Sequence, residues 1–191
     1  MRVETTMSEA GVERNDEELA RALSRGEERA LDVLMTRWQV PLRAFLYRYL
    51  HNEADAFDLA QETFVRVYRH RANYQEGKRF STWMFQIGLN LARDHARRRV
   101  RRPMVALEDA PEAVSEGDPR EGTLGAERAR AVREAIGELP ESLREAVLLF
   151  EYEHKSHAEI AAIVGASAKA VETRLHRARE QLRKGLRRFF S

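Results

Sequence analysis

Apolar residues recur every three or four positions along almost the whole 191-residue chain, and this spacing fails over one stretch, residues 103–127. Such spacing predicts amphipathic helices, and no segment shows the alternation typical of a strand. Residues 103–127 hold three of the five prolines and seven acids against one arginine, which indicates a flexible linker. The sequence therefore predicts an all-α fold of two small helical domains joined by a flexible acidic linker.

Charge is divided unevenly along the chain, although the formal net charge of the whole is only +2. Residues 1–102 carry a net charge of +4, from 19 basic and 15 acidic residues. Residues 128–191 carry +4 as well, from 13 basic and nine acidic residues, and the linker between them carries −6. Two basic helical domains indicate that the protein binds a polyanion.

The composition excludes several other classes of protein. There is no cysteine, so disulfides and thiolate metal sites are excluded. No P-loop, dinucleotide fingerprint or nucleophile elbow occurs, and of six histidines only His154 and His157 lie close together. We expect no catalytic residues, no metal and no cofactor. The chain has no apolar run of membrane-spanning length and no signal-peptide core, so we expect a cytoplasmic protein without membrane insertion.

Helix start and stop signals divide the chain further. We expect a disordered N-terminus at 1–15, a helical domain at 16–102, the linker at 103–127 and a second helical domain at 128–191. Pro41 should break or restart a helix, because proline removes a backbone donor. The predicted helices cover residues 16–24, 27–50, 53–71, 80–101, 126–136 and 140–152, and two more begin near Ser156 and Ser167. Asn52 can cap the helix that begins at Glu53.

The last two predicted helices have the pattern of a helix-turn-helix. Ser156 and Glu159 have capping-box spacing, Gly165 stops the first helix, and Ser167 can cap the second. Val171, Leu175, Ala178 and Leu182 form one buried stripe on the second helix. The polar residues on its opposite side, which would face a DNA major groove, are Lys169, Glu172, Thr173, His176 and Arg177. The alternative is a plain helical hairpin with a solvated basic face.

The helix predicted at 80–101 carries a second candidate surface for nucleic acid. One narrow stripe contains Trp83, Gln86, Asn90, Arg93, Arg97 and Arg101, while Met84, Phe85, Ile87 and Leu91 should be core. Arginines can neutralise phosphates, and an aromatic side chain beside them suits unstacked bases. The alternatives are a solvated arginine face and a Trp83 that belongs to the core.

The helix predicted at 53–71 has the opposite charge. Phe57, Ala60, Phe64, Val67 and Tyr68 should line its inner face, while Asp55, Asp58 and Glu62 point outward with Leu59 and Val65. Four acids and no basic residue occur between Glu53 and Val65, so DNA would be repelled. Exposed leucine and valine among carboxylates indicate a protein partner, and the alternative is an ordinary charged face.

Taken together, three segments resemble the extracytoplasmic-function (ECF) group of the sigma-70 family, the small two-domain bacterial transcription initiation factors. Residues 55–64, DAFDLAQETF, are similar to the family's clamp-binding helix. Residues 80–94, FSTWMFQIGLNLARD, followed by three arginines at 97–99, are similar to its −10 helix. Residues 139–179 are similar to its −35-binding helix-turn-helix. The resemblance covers nearly everything except the first dozen residues and the linker.

The resemblance implies a sigma factor: a protein that binds core RNA polymerase, directs it to specific promoters and helps melt the −10 region, typically for a stress- or signal-responsive set of genes. Such a protein is a specificity subunit and has no catalytic residues of its own. Membership of the group further implies an anti-sigma factor as a partner, often membrane-bound, and a position at the nucleoid when the protein is active.

The resemblance also assigns roles to residues by position. Core-polymerase binding falls to Asp55, Asp58, Leu59, Gln61 and Glu62. Binding of the −10 strand falls to Asn73, Arg79, Trp83, Asn90, Arg93, Arg97, Arg98 and Arg101, with the loop 73–79 forming a pocket for a flipped base. Binding of the −35 duplex falls to Ser167, Lys169, Glu172, Thr173, His176 and Arg177. The chain departs from the common pattern at Gly88, His157 and Glu172.

Two other classes of protein remain as alternatives. A stand-alone helix-turn-helix repressor would need neither the acidic face nor a second, strand-binding basic domain. A nucleic-acid enzyme would need carboxylates or histidines that converge on a metal, and the sequence offers no such set.

Overall fold

The computed structural model describes residues 14–101 and 123–187. Within these ranges the chain forms eight α-helices and no strand, which confirms the all-α prediction. The helices are α1 Asp16–Ser24, α2 Arg29–Leu50, α3 Glu53–Arg69, α4 Phe80–Arg101, α5 Thr123–Gly137, α6 Glu141–Val147, α7 His157–Val164 and α8 Ala168–Gly185. A 3-10 turn at Arg71–Asn73 follows α3, and a π-helical turn at Leu148–Tyr152 follows α6. Most of the predicted N-terminus at 1–15 and of the linker lies outside the described residues.

Short polar side chains set the starts of α1 and α3. Asn15 and Glu18 form a reciprocal capping box, with two hydrogen bonds of 2.9 Å. The Asn52 side chain accepts a hydrogen bond of 2.8 Å from the backbone N–H of Asp55, which confirms the predicted cap. His51 adopts a left-handed φ of 53° and ends α2, so the chain reverses direction and α3 packs on α2.

Pro41 lies inside α2, and the prediction of a break there was wrong. Proline removes one backbone hydrogen bond and so weakens an isolated helix. Here the flanking residues Leu34, Leu42 and Phe45 are fully buried. Tertiary packing of an apolar face contributes most of a helix's stability in a protein, so it offsets the loss of one bond.

The C-terminal half differs from the prediction at two boundaries. Helix α5 begins at Thr123, so the last five residues of the predicted linker 103–127 are helical. The predicted helix 140–152 is α-helical only as far as Val147, and Leu148–Tyr152 continue as a π-helical turn. Leu148 and Leu149 are both buried in that turn. The turn therefore belongs to the core rather than to a connecting loop.

Helices α7 and α8 form the predicted helix-turn-helix. Ser156 and Glu159 make the capping box, and Gly165 ends α7 with a left-handed φ of 70°. The Ser167 hydroxyl accepts a hydrogen bond of 3.1 Å from the backbone N–H of Ala170 and starts α8. Of the predicted stripe, Val171, Leu175 and Ala178 are buried and Leu182 is half-buried. The polar side of α8 therefore faces outward.

The N-terminal module, residues 14–101, and the C-terminal module, residues 123–187, pack on each other. Helix α7 packs on α4, and the π-helical turn packs on α2. One continuous apolar core runs through both modules, from Phe45 and Phe85 in the first to Leu149 and Ile160 in the second. Among the residues described, no helix has both the length and the apolar character that crossing a membrane requires.

Candidate nucleic-acid and protein interfaces

The outer face of α3 is both acidic and apolar. Asp58 is exposed, as predicted, and Gln61 is exposed beside it. Val65 is 40% exposed and Phe57 is 49% exposed, so the assignment of Phe57 to the inner face was wrong. Phe57 lies two turns before the buried Phe64 on nearly the same side of the helix, about 10 Å along its axis. Periodicity gives the direction of a side chain, but not how far the neighbouring helices extend to cover it.

The remaining α3 residues assigned to polymerase binding have partners within the chain. The Asp55 carboxylate lies 3.0 Å from His95 Nε2 and 3.8 Å from an Arg99 nitrogen, so it joins α3 to α4. Leu59 is half-buried and packs against the core, contrary to its predicted outward direction. Glu62 forms an ion pair of 2.8 Å with Arg66, and this hydrogen bond lowers the pKa of its carboxyl group.

The predicted stripe on α4 is present, and its polar members other than Arg93 that the structure describes lie on the surface. Gln86, Asn90, Arg97 and Arg98 are exposed, whereas the side chain of Arg101 lies outside the described residues. Trp83 is half-buried, and its ring centroid lies 5.5 Å from that of Tyr74 and 6.3 Å from that of Phe80. The indole thus rests on an aromatic cluster while part of it stays open to solvent, which suits a base-stacking surface.

The loop after α3 is organised by Tyr74, a residue outside the predicted site. The Tyr74 hydroxyl donates a hydrogen bond of 2.5 Å to the backbone oxygen of Lys78, and burial raises the pKa of the phenol. Asn73 lies beside it and is exposed. Arg79 ends the loop, and its guanidinium lies 3.4 Å from the Glu159 carboxylate of α7. The loop therefore lies at the edge of the C-terminal module.

Arg93 is bound by the C-terminal module instead of being open to solvent. Two of its nitrogens each donate a hydrogen bond of 2.7 Å to the Glu145 carboxylate of α6, in a bidentate pair. The Glu145 side chain is only 2% exposed. The hydrogen bond to Glu145 raises the pKa of Arg93. The sequence contained one signal for this contact: Glu145 occupies a position on the buried side of its helix, beside Leu143 and Ala146.

The outer face of α8 brings together the residues assigned to duplex DNA. Lys169 and Glu172 form an ion pair of 2.9 Å, which lowers the pKa of the Glu172 carboxyl group. The Thr173 hydroxyl donates to the backbone oxygen of Lys169 at 3.0 Å. His176 and Arg177 are exposed further along the same face. This face forms a polar surface one helix wide, the size that a major groove admits.

The sequence matches two family profiles in the order in which the modules occur. Residues 34–102 match sigma-70 region 2, and residues 129–182 match sigma-70 region 4. The chain belongs to the sigma-70 family. Together the two matches cover more than half of this sigma factor, and they include α4 and the helix-turn-helix described above.

Relatives of this sigma factor identify its group. It is 35% identical to the RNA polymerase sigma-H factor of Pseudomonas aeruginosa over 182 residues, 90% of this chain and 93% of that protein. It is 37% identical to the ECF RNA polymerase sigma factor SigE of Mycolicibacterium smegmatis over 183 residues, 90% of this chain and 69% of that protein. The resemblance to the ECF group is thereby confirmed. The protein is a specificity subunit of RNA polymerase and not an enzyme.

A solved structure shows that the fold extends over both modules. CnrH, in complex with the cytosolic domain of CnrY, superposes on this sigma factor with a TM-score of 0.68 and 29% sequence identity. The match covers 90% of this chain and 96% of that chain. The packed arrangement of the two modules therefore has a counterpart among experimentally determined structures.

Proposed function

We propose that this sigma factor divides promoter recognition between its two modules. Residues 16–102 bind core polymerase and the melted −10 strand, and residues 128–191 bind the −35 duplex. The observation that carries this proposal is the order of the two family matches, each on a module with an exposed basic surface. The set of genes that it serves is stress- or signal-responsive, as in the ECF group.

Helix α3 is the proposed contact with core polymerase. Its exposed residues Asp58 and Gln61 flank the half-exposed Phe57 and Val65. Aromatic anchors surrounded by polar residues are typical of protein–protein interfaces, and the acidic rim favours a basic partner. Asp55 and Glu62 contribute to the same negative potential while they hold His95 and Arg66.

The −10 strand is the proposed ligand of α4 and of the loop 73–79. Trp83 offers a stacking surface, Asn73 and Asn90 offer hydrogen bonds, and Arg97 and Arg98 offer charge to the phosphates. Extruding a base from a duplex costs a few kcal/mol, which these contacts would offset. Arg79 and Arg93 would join the same surface when their ion pairs with Glu159 and Glu145 are broken.

The −35 duplex is the proposed ligand of α8. Glu172, His176 and Arg177 would reach base edges, while Lys169 and the N-terminus of α8 at Ser167 would lie near the phosphate backbone. Glutamate accepts hydrogen bonds and so favours cytosine. The structure of CnrH contains the cytosolic domain of another protein, CnrY. By analogy we propose an anti-sigma factor as a further partner, and activity in the cytoplasm at the nucleoid.

Run-off transcription with purified core polymerase and genomic promoter fragments tests this function. We expect specific transcripts only when the protein is added, and a footprint that covers two elements. A stand-alone repressor would give a footprint without transcripts, and that result would contradict the proposal. Arg97→Ala is expected to reduce transcription without changing the fold, since Arg97 is exposed.

A further inference from the structure

The loop at residues 73–79 has one buried side chain. Tyr74 is 8% exposed, whereas the other six residues of the loop are exposed. Neither a helix nor a strand fixes residues 74–79, so the conformation of this segment depends on individual hydrogen bonds. A loop without such bonds samples many conformations, and its side chains then have no fixed positions. The bonds of Tyr74 therefore bear on how the exposed side chains of the loop are arranged.

Two long backbone hydrogen bonds hold the ends of the turn within this loop. The Tyr74 N–H donates to the Arg71 oxygen at 3.2 Å, and the Lys78 N–H donates to the Gln75 oxygen at 3.2 Å. Gly77, inside the turn, adopts a left-handed φ of 84°. No atom beyond its chain neighbours lies within 4 Å of the Gly77 Cβ position. The tip of the turn therefore receives no support from packing.

The hydroxyl of Tyr74 joins this turn to the buried part of the domain. It donates a hydrogen bond of 2.5 Å to the backbone oxygen of Lys78, so the bond spans the whole turn. The Tyr74 ring is itself held, because it is buried and its centroid lies 5.5 Å from that of Trp83. An ion pair of 3.5 Å between Glu76 and Arg25 also reaches the turn, but both side chains are exposed and such pairs contribute little. The hydroxyl is therefore the link between the turn and the aromatic cluster under it.

The surroundings of Tyr74 keep its hydroxyl a donor. Burial, together with the negative charge of Glu17 on α1, raises the pKa of the phenol above its ordinary value of about 10. The hydroxyl thus stays protonated at physiological pH, and the Lys78 oxygen accepts from it. Lys78 is an exposed residue, so we expect water to bind this oxygen when the hydroxyl is absent. Loss of the bond should therefore release the turn while the global fold persists, because no buried group is left unpaired.

We infer that the Tyr74 hydroxyl is a positioning group for recognition of the −10 strand. It fixes the turn at 75–78, so that Gln75 and Lys78 meet an extruded base beside Asn73 in one arrangement. The inference rests on the proposed role of the loop 73–79 and adds a residue outside the assigned set. Tyr74 acts through the loop and does not itself contact the base, because its side chain is buried.

A fixed loop favours one base over the others. Polar groups that are held in place match the hydrogen-bonding edge of one base and leave that of another base unpaired. A mobile loop can rearrange for several bases, and binding the preferred base must then also order the loop. Removing the hydroxyl should therefore reduce discrimination between −10 bases. Recognition of the −35 duplex should not change, because α8 is the proposed contact there.

Tyr74→Phe in the full-length chain tests the inference, because it keeps the ring and removes only the hydroxyl. Tyr68→Phe is the matched control, since the Tyr68 hydroxyl also makes a hydrogen bond of 2.5 Å, but to the Glu28 carboxylate instead of to the loop. Hydrogen exchange measures the order of residues 73–79. We expect exchange there to be about threefold to tenfold faster in Tyr74→Phe, the factor that one hydrogen bond contributes, and unchanged in the control. The Tm of both variants should stay close to that of the wild type.

Base preference is measured with holoenzyme assembled from core polymerase and each full-length variant. The template is a promoter from the run-off experiment, made as a library in which each −10 and −35 position carries all four bases in turn. We expect the transcript ratio between the preferred base and the others to fall at least about threefold at one −10 position in Tyr74→Phe. The ratios at −35, and all ratios for Tyr68→Phe, should equal those of the wild type.

Asn73→Ala separates this inference from the proposed function, because Asn73 is assigned a direct contact with the strand. If Tyr74→Phe kept wild-type base ratios while Asn73→Ala changed them, the inference would be wrong and the role of the loop would stand. Unchanged exchange in Tyr74→Phe would overturn the inference as well, and so would an equal loss of base preference in Tyr68→Phe. If neither Tyr74→Phe nor Asn73→Ala changed any −10 ratio, the inference and the loop's part of the proposed function would both fail.

Discussion

Gly88 lies where α4 crosses α2 and α3, and the space for a side chain there is small. A Cβ atom at this position would lie 3.1 Å from Leu42 Cδ1 and 3.4 Å from Thr63 Oγ1. Overpacking destabilises a protein by about 1–3 kcal/mol, whereas the higher helix propensity of alanine stabilises the helix by up to about 1 kcal/mol. We expect Gly88→Ala to lower the free energy of unfolding in urea by about 1 kcal/mol.

Gly185 provides the control for this prediction, because no atom lies within 4 Å of its Cβ position. Gly185→Ala should leave the free energy of unfolding unchanged or raise it by a few tenths of a kcal/mol, at about the size of a helix-end propensity effect. If the Gly88→Ala variant were at least as stable as Gly185→Ala, the contact of α4 with α2 and α3 would have space for a methyl group, and the prediction would be wrong.

His51 makes stability depend on pH at the contact between the modules. Its Nε2 lies 3.3 Å from the Cβ position of Gly137, and burial together with the nearby charge of Arg144 lowers the pKa of its imidazole. The folded chain therefore takes up this proton at a lower pH than the unfolded chain. The contribution to stability is complete above the ordinary pKa of about 6.5 and is lost as the pH falls from that value through the lowered pKa of the folded state.

A substitution at His51 tests this sign. Asparagine tolerates the left-handed conformation of this helix end, so His51→Asn should preserve the turn. Between about pH 7.5 and pH 5.5, we expect the Tm of the wild type to fall more than the Tm of His51→Asn. Parallel Tm curves for the two proteins would rule out His51 as a source of the pH dependence.

At the scale of single elements, we expect charge reversal on α3 to weaken its binding to core polymerase without unfolding the helix. Asp58→Lys combined with Glu62→Lys reverses charge on a face that the core does not use, so helix content should be unchanged. Binding to immobilised core polymerase should fall by at least about tenfold, because like charges across an interface cost several kcal/mol. Lysine substitution at Glu134 and Glu138 together, two exposed residues outside this face, serves as the control. Equal binding of the double variant and the wild type would contradict the α3 assignment.

Substitutions on α4 and on α8, the two proposed DNA-binding helices, should have different effects on transcription. Arg97→Ala on α4 should weaken open-complex formation at every promoter, because a backbone contact carries no base information. Glu172→Ala or His176→Ala on α8 should instead change which −35 bases are accepted, by about 1–3 kcal/mol each. A promoter library transcribed with each variant separates these effects. Wild-type base preferences in both α8 variants would contradict the groove-facing assignment.

The elements also show which parts of the fold a sequence can predict. Caps depend on side chains three residues apart, so Asn52, Ser156 and Ser167 were predicted correctly. Exposure of Phe57 and continuity through Pro41 depend on how far other helices extend, which local periodicity does not contain. The site divides in the same way. The exposed face of α8 followed from periodicity, whereas the engagement of Arg93 by Glu145 joins residues 52 positions apart.

At the scale of the whole molecule, the early start of α5 limits how far the modules can separate. Only residues 102–122 remain between the two modules, and twenty-one residues fully extended span at most about 75 Å. Elements named −10 and −35 lie about 25 base steps apart, or roughly 85 Å along the duplex at 3.4 Å per step. Each module adds reach of about 10 Å, so the connection has almost no length to spare.

Changing the length of this connection therefore has asymmetric consequences. Deleting eight residues, 110–117, removes about 26–29 Å of reach and should abolish run-off transcription while binding to core polymerase is retained. Inserting eight glycine and serine residues at the same point should be tolerated, because loop entropy grows only with the logarithm of length. Transcription by the deletion variant at the wild-type level would mean that the two modules need not engage both elements at once. The matched insertion distinguishes a limit on reach from a need for the native linker sequence, since it alters the segment without shortening it.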